Sequence, residues 1–127
     1  MGQWTLGELE QIDSVRTYFV RWTRDDGTPT RDVPIWAVRV GSQVYVRSVR
    51  GRTSTWFRRA TQWTSGELVV GRDARLVRAV AFHEARTDVD AAVSEAYRSK
   101  YGDLDPRVFE PTLAAIAVAA ALQVSPA

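Results

Sequence analysis

The chain has 127 residues, 45% hydrophobic and 25% charged, the balance of one soluble globular domain spanning residues 1–127. The 17 basic residues nearly cancel the 15 acidic ones and are spread along the chain rather than run together with aromatics, so nucleic acid is not the expected partner. Cysteine is absent, which excludes disulfides, thiolate metal sites and cysteine nucleophiles and is compatible with a reducing cytoplasm, the expected location.

The N-terminal stretch has no basic region followed by an apolar run, so no signal peptide is expected. Thr5-Leu6-Gly7-Glu8 has the form of a capping box and predicts a short helix with Leu6, Leu9 and Ile12 on one face and Trp4 as its staple. Residues 14–23 alternate as a strand, with Tyr18, Val20 and Trp22 on one side. Asp25-Asp26-Gly27-Thr28 predicts a turn, and residues 30–40 a second strand that completes a hairpin. Pro34 cannot donate to a ladder. It marks an edge or a bulge and leaves backbone near residues 34–36 free to meet something other than a strand.

Residues 43–49 predict a third strand, rich in β-branched and aromatic residues and ended by Gly51. Thr53 or Ser54 can cap a helix over residues 54–63 that carries Trp56, Phe57, Ala60 and Trp63. Residues 67–70 and 75–82 predict two more strands about a turn at Gly71-Arg72-Asp73-Ala74. Thr87-Asp88-Val89-Asp90 reads as a second capping box, opening a helix that Gly102 ends. Pro111 suits the first turn of a last, alanine-rich helix over about 111–123. The apolar run inside it, residues 113–122, is far short of the ~20 residues of a bilayer span, so no membrane is expected.

The stretch from 43 to 63 carries the most chemistry. It is a strand, a tight basic loop and a helix start, with Arg47, Arg50 and Arg52 beside two hydroxyls. Guanidinium forks and the free N–H groups of a first helical turn suit an anion, most naturally a phosphate. A solvated rim of arginines has the same composition. There is no P-loop pattern, so nucleotide hydrolysis has no support. His83 stands alone at a strand end, with no carboxylates spaced to make a metal site around it, and no nucleophile–base pair is visible. Five tryptophans are dense for this length, and stacked rings favour flat ligands. Trp36, beside Pro34, and Trp56, just past the basic loop, are the two expected at a ligand.

The run VPIWAVRVGSQVYVRSVRGRTSTWFRRA, residues 33–60, with AYRSKYG at 96–102, resembles the split β-barrels of the pyridoxamine-phosphate-oxidase and flavin-reductase-like class. It is similar above all to a set of small bacterial proteins of unknown function, and in element order to the deazaflavin-dependent nitroreductases. The resemblance covers about residues 14–102. It implies that Arg47, Ser48, Arg50, Arg52, Thr53 and Ser54 hold the phosphate of FMN or a deazaflavin coenzyme. It also implies that the backbone of residues 34–36 lies along the ring, that Trp56 borders the pocket, and that two copies dimerise near the cofactor. The loop lacks the lysines of the well-studied flavin members, and the alanine-rich helix has no place in the family pattern.

The expectation is therefore an α+β protein: a small antiparallel split β-barrel of five to six strands with flanking helices, its core at about 14–102. The first reading of function is a flavin- or deazaflavin-binding oxidoreductase without a metal, its catalytic residues not identified. The alternatives are a cofactor-free isomerase or cyclase using Tyr18, Tyr45 or an arginine as acid, and a non-catalytic small-molecule-binding module.

Overall fold

In the computed structural model, which describes residues 2–63 and 65–127, a helix α1 (Leu6–Asp13) leads into a single seven-stranded antiparallel sheet. The strands are β1 (Tyr18–Arg21), β2 (Val33–Ile35), β3 (Ala37–Val40), β4 (Gln43–Arg47), β5 (Ser65–Val70), β6 (Leu76–Glu84) and β7 (Ala121–Pro126). Helix α2 (Thr55–Trp63) lies between β4 and β5. After β6 come a 3-10 turn (Thr87–Val89), α3 (Asp90–Tyr101), α4 (Pro106–Phe109), a 3-10 turn (Glu110–Leu113) and α5 (Ala115–Val118).

The strand order is β2-β1-β5-β6-β7-β4-β3. The two outermost strands are consecutive in the chain and separated only by Trp36, so the sheet curls into a nearly closed barrel. Where one strand was expected over residues 30–40, the backbone changes partner at Trp36. Ile35 pairs with Tyr18 on β1, whereas Ala37 pairs with Val46 on β4. Pro34 lies opposite Phe19 in the outermost strand β2, where a missing N–H does least harm.

Local chemistry explains the starts of the helices. Thr5 and Glu8 form the reciprocal capping box, and Ser54 Oγ accepts from Phe57 N at 3.4 Å. The second expected box does not form: Thr87 opens a 3-10 turn with no side-chain cap, and the Asp88 carboxylate pairs with Arg86 at 2.9 Å. Trp4 does more than staple a helix. Its side chain is buried, and Nε1 donates to the Val124 carbonyl at 2.9 Å.

The largest departure lies at the C-terminus. The helix expected at 111–123 is absent; short helical turns end by residue 118, and residues 121–126 form β7 between β6 and β4. Val124 pairs with both Phe82 and Val44. A run of alanine and β-branched residues is buried equally well as helix or strand. Here the unpaired edges of β4 and β6 supply backbone partners on both sides, which a surface helix would leave open. This strand also raises the count to seven.

Two apolar clusters result. One fills the barrel with Val20, Trp22, Val46, Leu68, Val80 and Leu122, covered by Ile12 of α1 and Phe57 of α2. The other, Val38, Tyr45, Val93, Tyr97, Tyr101 and Phe109, glues α3 to the outside of β3 and β4.

Candidate ligand-binding groove

The partner change at Trp36 creates the site. Tyr18 pairs with Ile35 on one side and Val70 on the other, so Thr17, Trp36 and the Gly71–Ala74 turn meet at one end of the barrel. Gly71 N donates to Thr17 O at 2.9 Å and fixes the turn there. A ladder bond between Arg47 and Trp36 is missing at the break. The Tyr97 hydroxyl stands in for it, donating to Trp36 O at 2.8 Å and accepting from Arg47 N at 3.0 Å. Tyr101 reaches Arg16 O and Ala37 O at 3.0 and 3.1 Å, and its ring stacks on Trp36 at 4.3 Å. The backbone expected to lie free at residues 34–36 is thus partly satisfied from α3.

Two cavities open along this break and share Pro34, Val49 and Trp56 as walls, so they form one groove. The first, about 350 Å³, adds Thr17, Ile35, Trp36, Arg47, Arg72, Tyr97, Val108 and Thr112. The second, about 600 Å³, adds Val33, Ser48, Arg50, Thr53, Ser54, Thr55 and Arg59. Both volumes suit a small organic ligand. Among the described residues the lining holds four arginines and no carboxylate: Arg47, Arg50, Arg59 and Arg72.

That segregation is not a matter of composition. Most arginines of the chain are paired: Arg16 with Asp103, Arg21 with Glu67, Arg39 with Asp13, Arg78 with Glu8 and Arg107 with Asp105. Arg50 and Arg72 make no hydrogen bond or ion pair with any described residue. Arg59 lies only over the Trp63 ring, at 5.8 Å.

The sequence-predicted residues divide into three groups. Arg50, Thr53, Ser54, Trp36 and Trp56 line the groove. Arg52 does not: it pairs with Glu84 at 2.6 Å and bonds Ala119 O at 3.1 Å, over the Phe57 ring. Arg47 and Ser48 touch the groove but are largely occupied. Ser48 Oγ bonds Gly51 O and Ser54 Oγ at 2.7 and 2.8 Å, which sets the loop's shape. Arg47 is 4% exposed, and its terminal nitrogens bond Ser94 Oγ, Thr112 O and Asp90 O. Burial lowers its pKa, and no carboxylate pairs with it. Its Nε, buried in the wall, has no partner.

Sequence reasoning missed Arg59, Arg72, Thr17, Val49, Val108 and Thr112. Arg59 was within reach, three residues after Trp56 on the same helix face. The others carry no local signal, because register and the C-terminal chain path bring them in. Tyr18 and Tyr45, considered as acids, line neither cavity. Tyr18 is buried, and its hydroxyl bonds Ile12 O, Val15 O and Lys100. His83 is exposed at the end of β6, and no group of three potential metal ligands occurs among the described residues. No helix among them is long and apolar enough to cross a membrane.

Residues 8–124 match the family described as "uncharacterized protein conserved in bacteria (DUF2255)". The chain belongs to this family. No curated protein matches it in sequence. Two solved structures share the family member's fold. One is a conserved hypothetical protein, Rv2991, from Mycobacterium tuberculosis, with 12% identity and a TM-score of 0.62 over 95% of this chain and 78% of that one. The other is an FAD and heme binding protein from Mycobacterium smegmatis, with 17% identity and a TM-score of 0.53 over 91% of this chain. The family member spans 62% of that second protein's length.

Proposed function

We propose that the groove binds a flavin, FMN or a deazaflavin coenzyme, and that the protein is a cytoplasmic oxidoreductase built on that cofactor. One observation carries the reading: unpaired arginines, with no acid among them, line a groove whose middle is apolar and aromatic. The residues fit such a group. Arg50, Arg59 and Thr53 form a donor set for a phosphate at the start of α2, beside Ser54, whose hydroxyl is taken up by Ser48 and by capping the helix. Pro34, Trp36, Val49 and Trp56 offer flat apolar surface for a ring. Arg47 and Ser48 then shape the loop rather than grip phosphate, and Arg52 braces it.

Bound there, the cofactor supplies hydride transfer, while the protein binds, orients and shields it. The FAD-binding fold neighbour is consistent with a flavin in a barrel of this kind. Val49, Val108 and Ile116 are exposed apolar residues of the segments around the groove, and we propose that a second copy covers them.

FMN and a deazaflavin coenzyme should each be titrated against the protein, following tryptophan fluorescence. Quenching is expected, because Trp36 and Trp56 border the ring. The Arg50→Ala/Arg59→Ala double variant is expected to weaken FMN about tenfold or more with unchanged circular dichroism. A protein that quenches with neither cofactor up to about 1 mM sinks the reading. Light scattering in solution reports the dimer.

A further inference from the structure

The phosphate reading uses the arginines at one end of the groove and leaves Arg72 unexplained. Arg72 sits on the turn between β5 and β6, at the far end of the smaller cavity. The neighbouring acid is already taken: both Asp73 carboxylate oxygens are held by Arg75, at 3.3 and 3.4 Å. Nothing else among the described residues neutralises Arg72. Beside it in the same cavity, the Thr17 side chain makes no hydrogen bond with a described residue, while the Thr17 carbonyl anchors the turn through Gly71 N. The third donor is Arg47 Nε, buried in the same wall without an acceptor.

We propose that this end of the groove is a carboxylate site, and that the protein's substrate is a small organic acid with a flat apolar body. The three donors match the acceptors of one carboxylate. A guanidinium binds its two oxygens side by side, and a hydroxyl and a single N–H satisfy the remaining lone pairs. A neutral carbonyl could also accept from Arg47 Nε, but only an acidic ligand offsets the buried charge of Arg47 and the free charge of Arg72 as well. Between this end and the Arg50–Arg59 end, the walls are Pro34, Val49 and Trp56, so the body joined to the carboxylate is apolar and flat: it lies on these walls in the free protein and stacks on the cofactor ring when that ring covers them. Assigning the acid as substrate, rather than as a stand-alone ligand, rests on the cofactor reading above; the carboxylate site itself does not.

The test uses benzoate and its uncharged analogue benzamide, titrated by calorimetry into the full-length protein, first alone and then saturated with FMN. Benzoate is expected to bind in both cases and benzamide at least about tenfold more weakly. Arg72→Ala is expected to lower benzoate affinity by a similar factor and to leave FMN affinity within about twofold. Arg50→Ala is expected to do the reverse. Arg72 is exposed, so its replacement leaves the fold intact, which circular dichroism checks. Equal binding of benzoate and benzamide, or no benzoate binding up to about 10 mM, overturns the proposal. So does an Arg72→Ala variant that loses FMN as strongly as benzoate, because Arg72 then serves the cofactor. If FMN fails to bind while benzoate binds through Arg72, the carboxylate site stands and the cofactor reading falls.

Discussion

The Tyr97 hydroxyl donates to the Trp36 carbonyl at 2.8 Å, across 61 residues of sequence, at the one point where the edge of the barrel changes partner. It also accepts from Arg47 N, so a single buried oxygen closes the gap between β3 and β4. Tyr97→Phe leaves both backbone groups without their protein partner at the wall of the groove. The variant is expected to lose about 1–3 kcal/mol of stability by urea denaturation. Tyr45→Phe is the control. That hydroxyl makes no hydrogen bond among the described residues, and its loss is expected to change the urea midpoint little.

If Arg50 and Arg59 hold a phosphate, riboflavin, which lacks one, binds more weakly than FMN. A gap of about tenfold or more is expected in the wild-type protein and almost none in the Arg50→Ala/Arg59→Ala variant. The FMN affinity is also expected to fall as salt rises, because both guanidinium groups are at the surface of the groove. Equal affinities for the two ligands in the wild type would place the phosphate outside this loop.

Gly51 has φ of +83°, and a Cβ there lands 2.5 Å from Ile116 Cγ1. The loop that bears Arg50 is thereby clamped against α5. Gly51→Ala is expected to cost about 1–3 kcal/mol, from both the backbone conformation and the clash. Adding Ile116→Ala relieves the clash and recovers only part of that loss. Thermal unfolding of the single and double variants separates the two contributions.

Lys100 is the only lysine of the chain. Its ammonium bonds Ile12 O at 3.0 Å and the Tyr18 hydroxyl, beside the rings of Tyr18 and Tyr101. Burial lowers its pKa from 10.5 to about 8; nearby Arg16 adds to this and Asp13 opposes it. Between those two pH values the unfolded chain holds a proton that the folded protein has released, so stability rises with pH. The cost of the buried charge is fully present below pH 8. Burial raises the pKa of Tyr18, Tyr97 and Tyr101, so above about pH 10 ionisation of unfolded tyrosines reverses the trend. The melting temperature is expected to rise by a few degrees between about pH 7.5 and 9.5, and Lys100→Met should flatten that rise. A wild-type curve that falls across this window contradicts the assignment.

Strand β7 is hydrogen-bonded on both sides, to β4 and to β6. Its amides are expected to exchange with solvent as slowly as those of β6, despite their place at the chain's end. Fast exchange at residues 122–124 would mean that the strand detaches.

What the sequence by itself determined is local. The Thr5–Glu8 box, the Ser54 cap, the Gly71–Ala74 turn and most strand positions follow from residues within a few positions of one another. The antiparallel barrel class was legible through the resemblance of residues 33–60 and 96–102 to the split β-barrels, and the nearness of Trp36, Arg50, Thr53, Ser54 and Trp56 to one groove through the Pro34 edge and the strand–loop–helix pattern. The tertiary structure decided the rest. Alanine-rich residues at the C-terminus became β7 because two open strand edges offered them partners. Arg47 turned to the α3 side because strand alternation sends it to the face that α3 covers. Glu84 drew Arg52 away, Asp73 took Arg75, and Arg72 was left facing the cavity. Which arginines are free to meet a ligand depends on where each acid lands in space, and that is set by register and chain path rather than by neighbours in sequence.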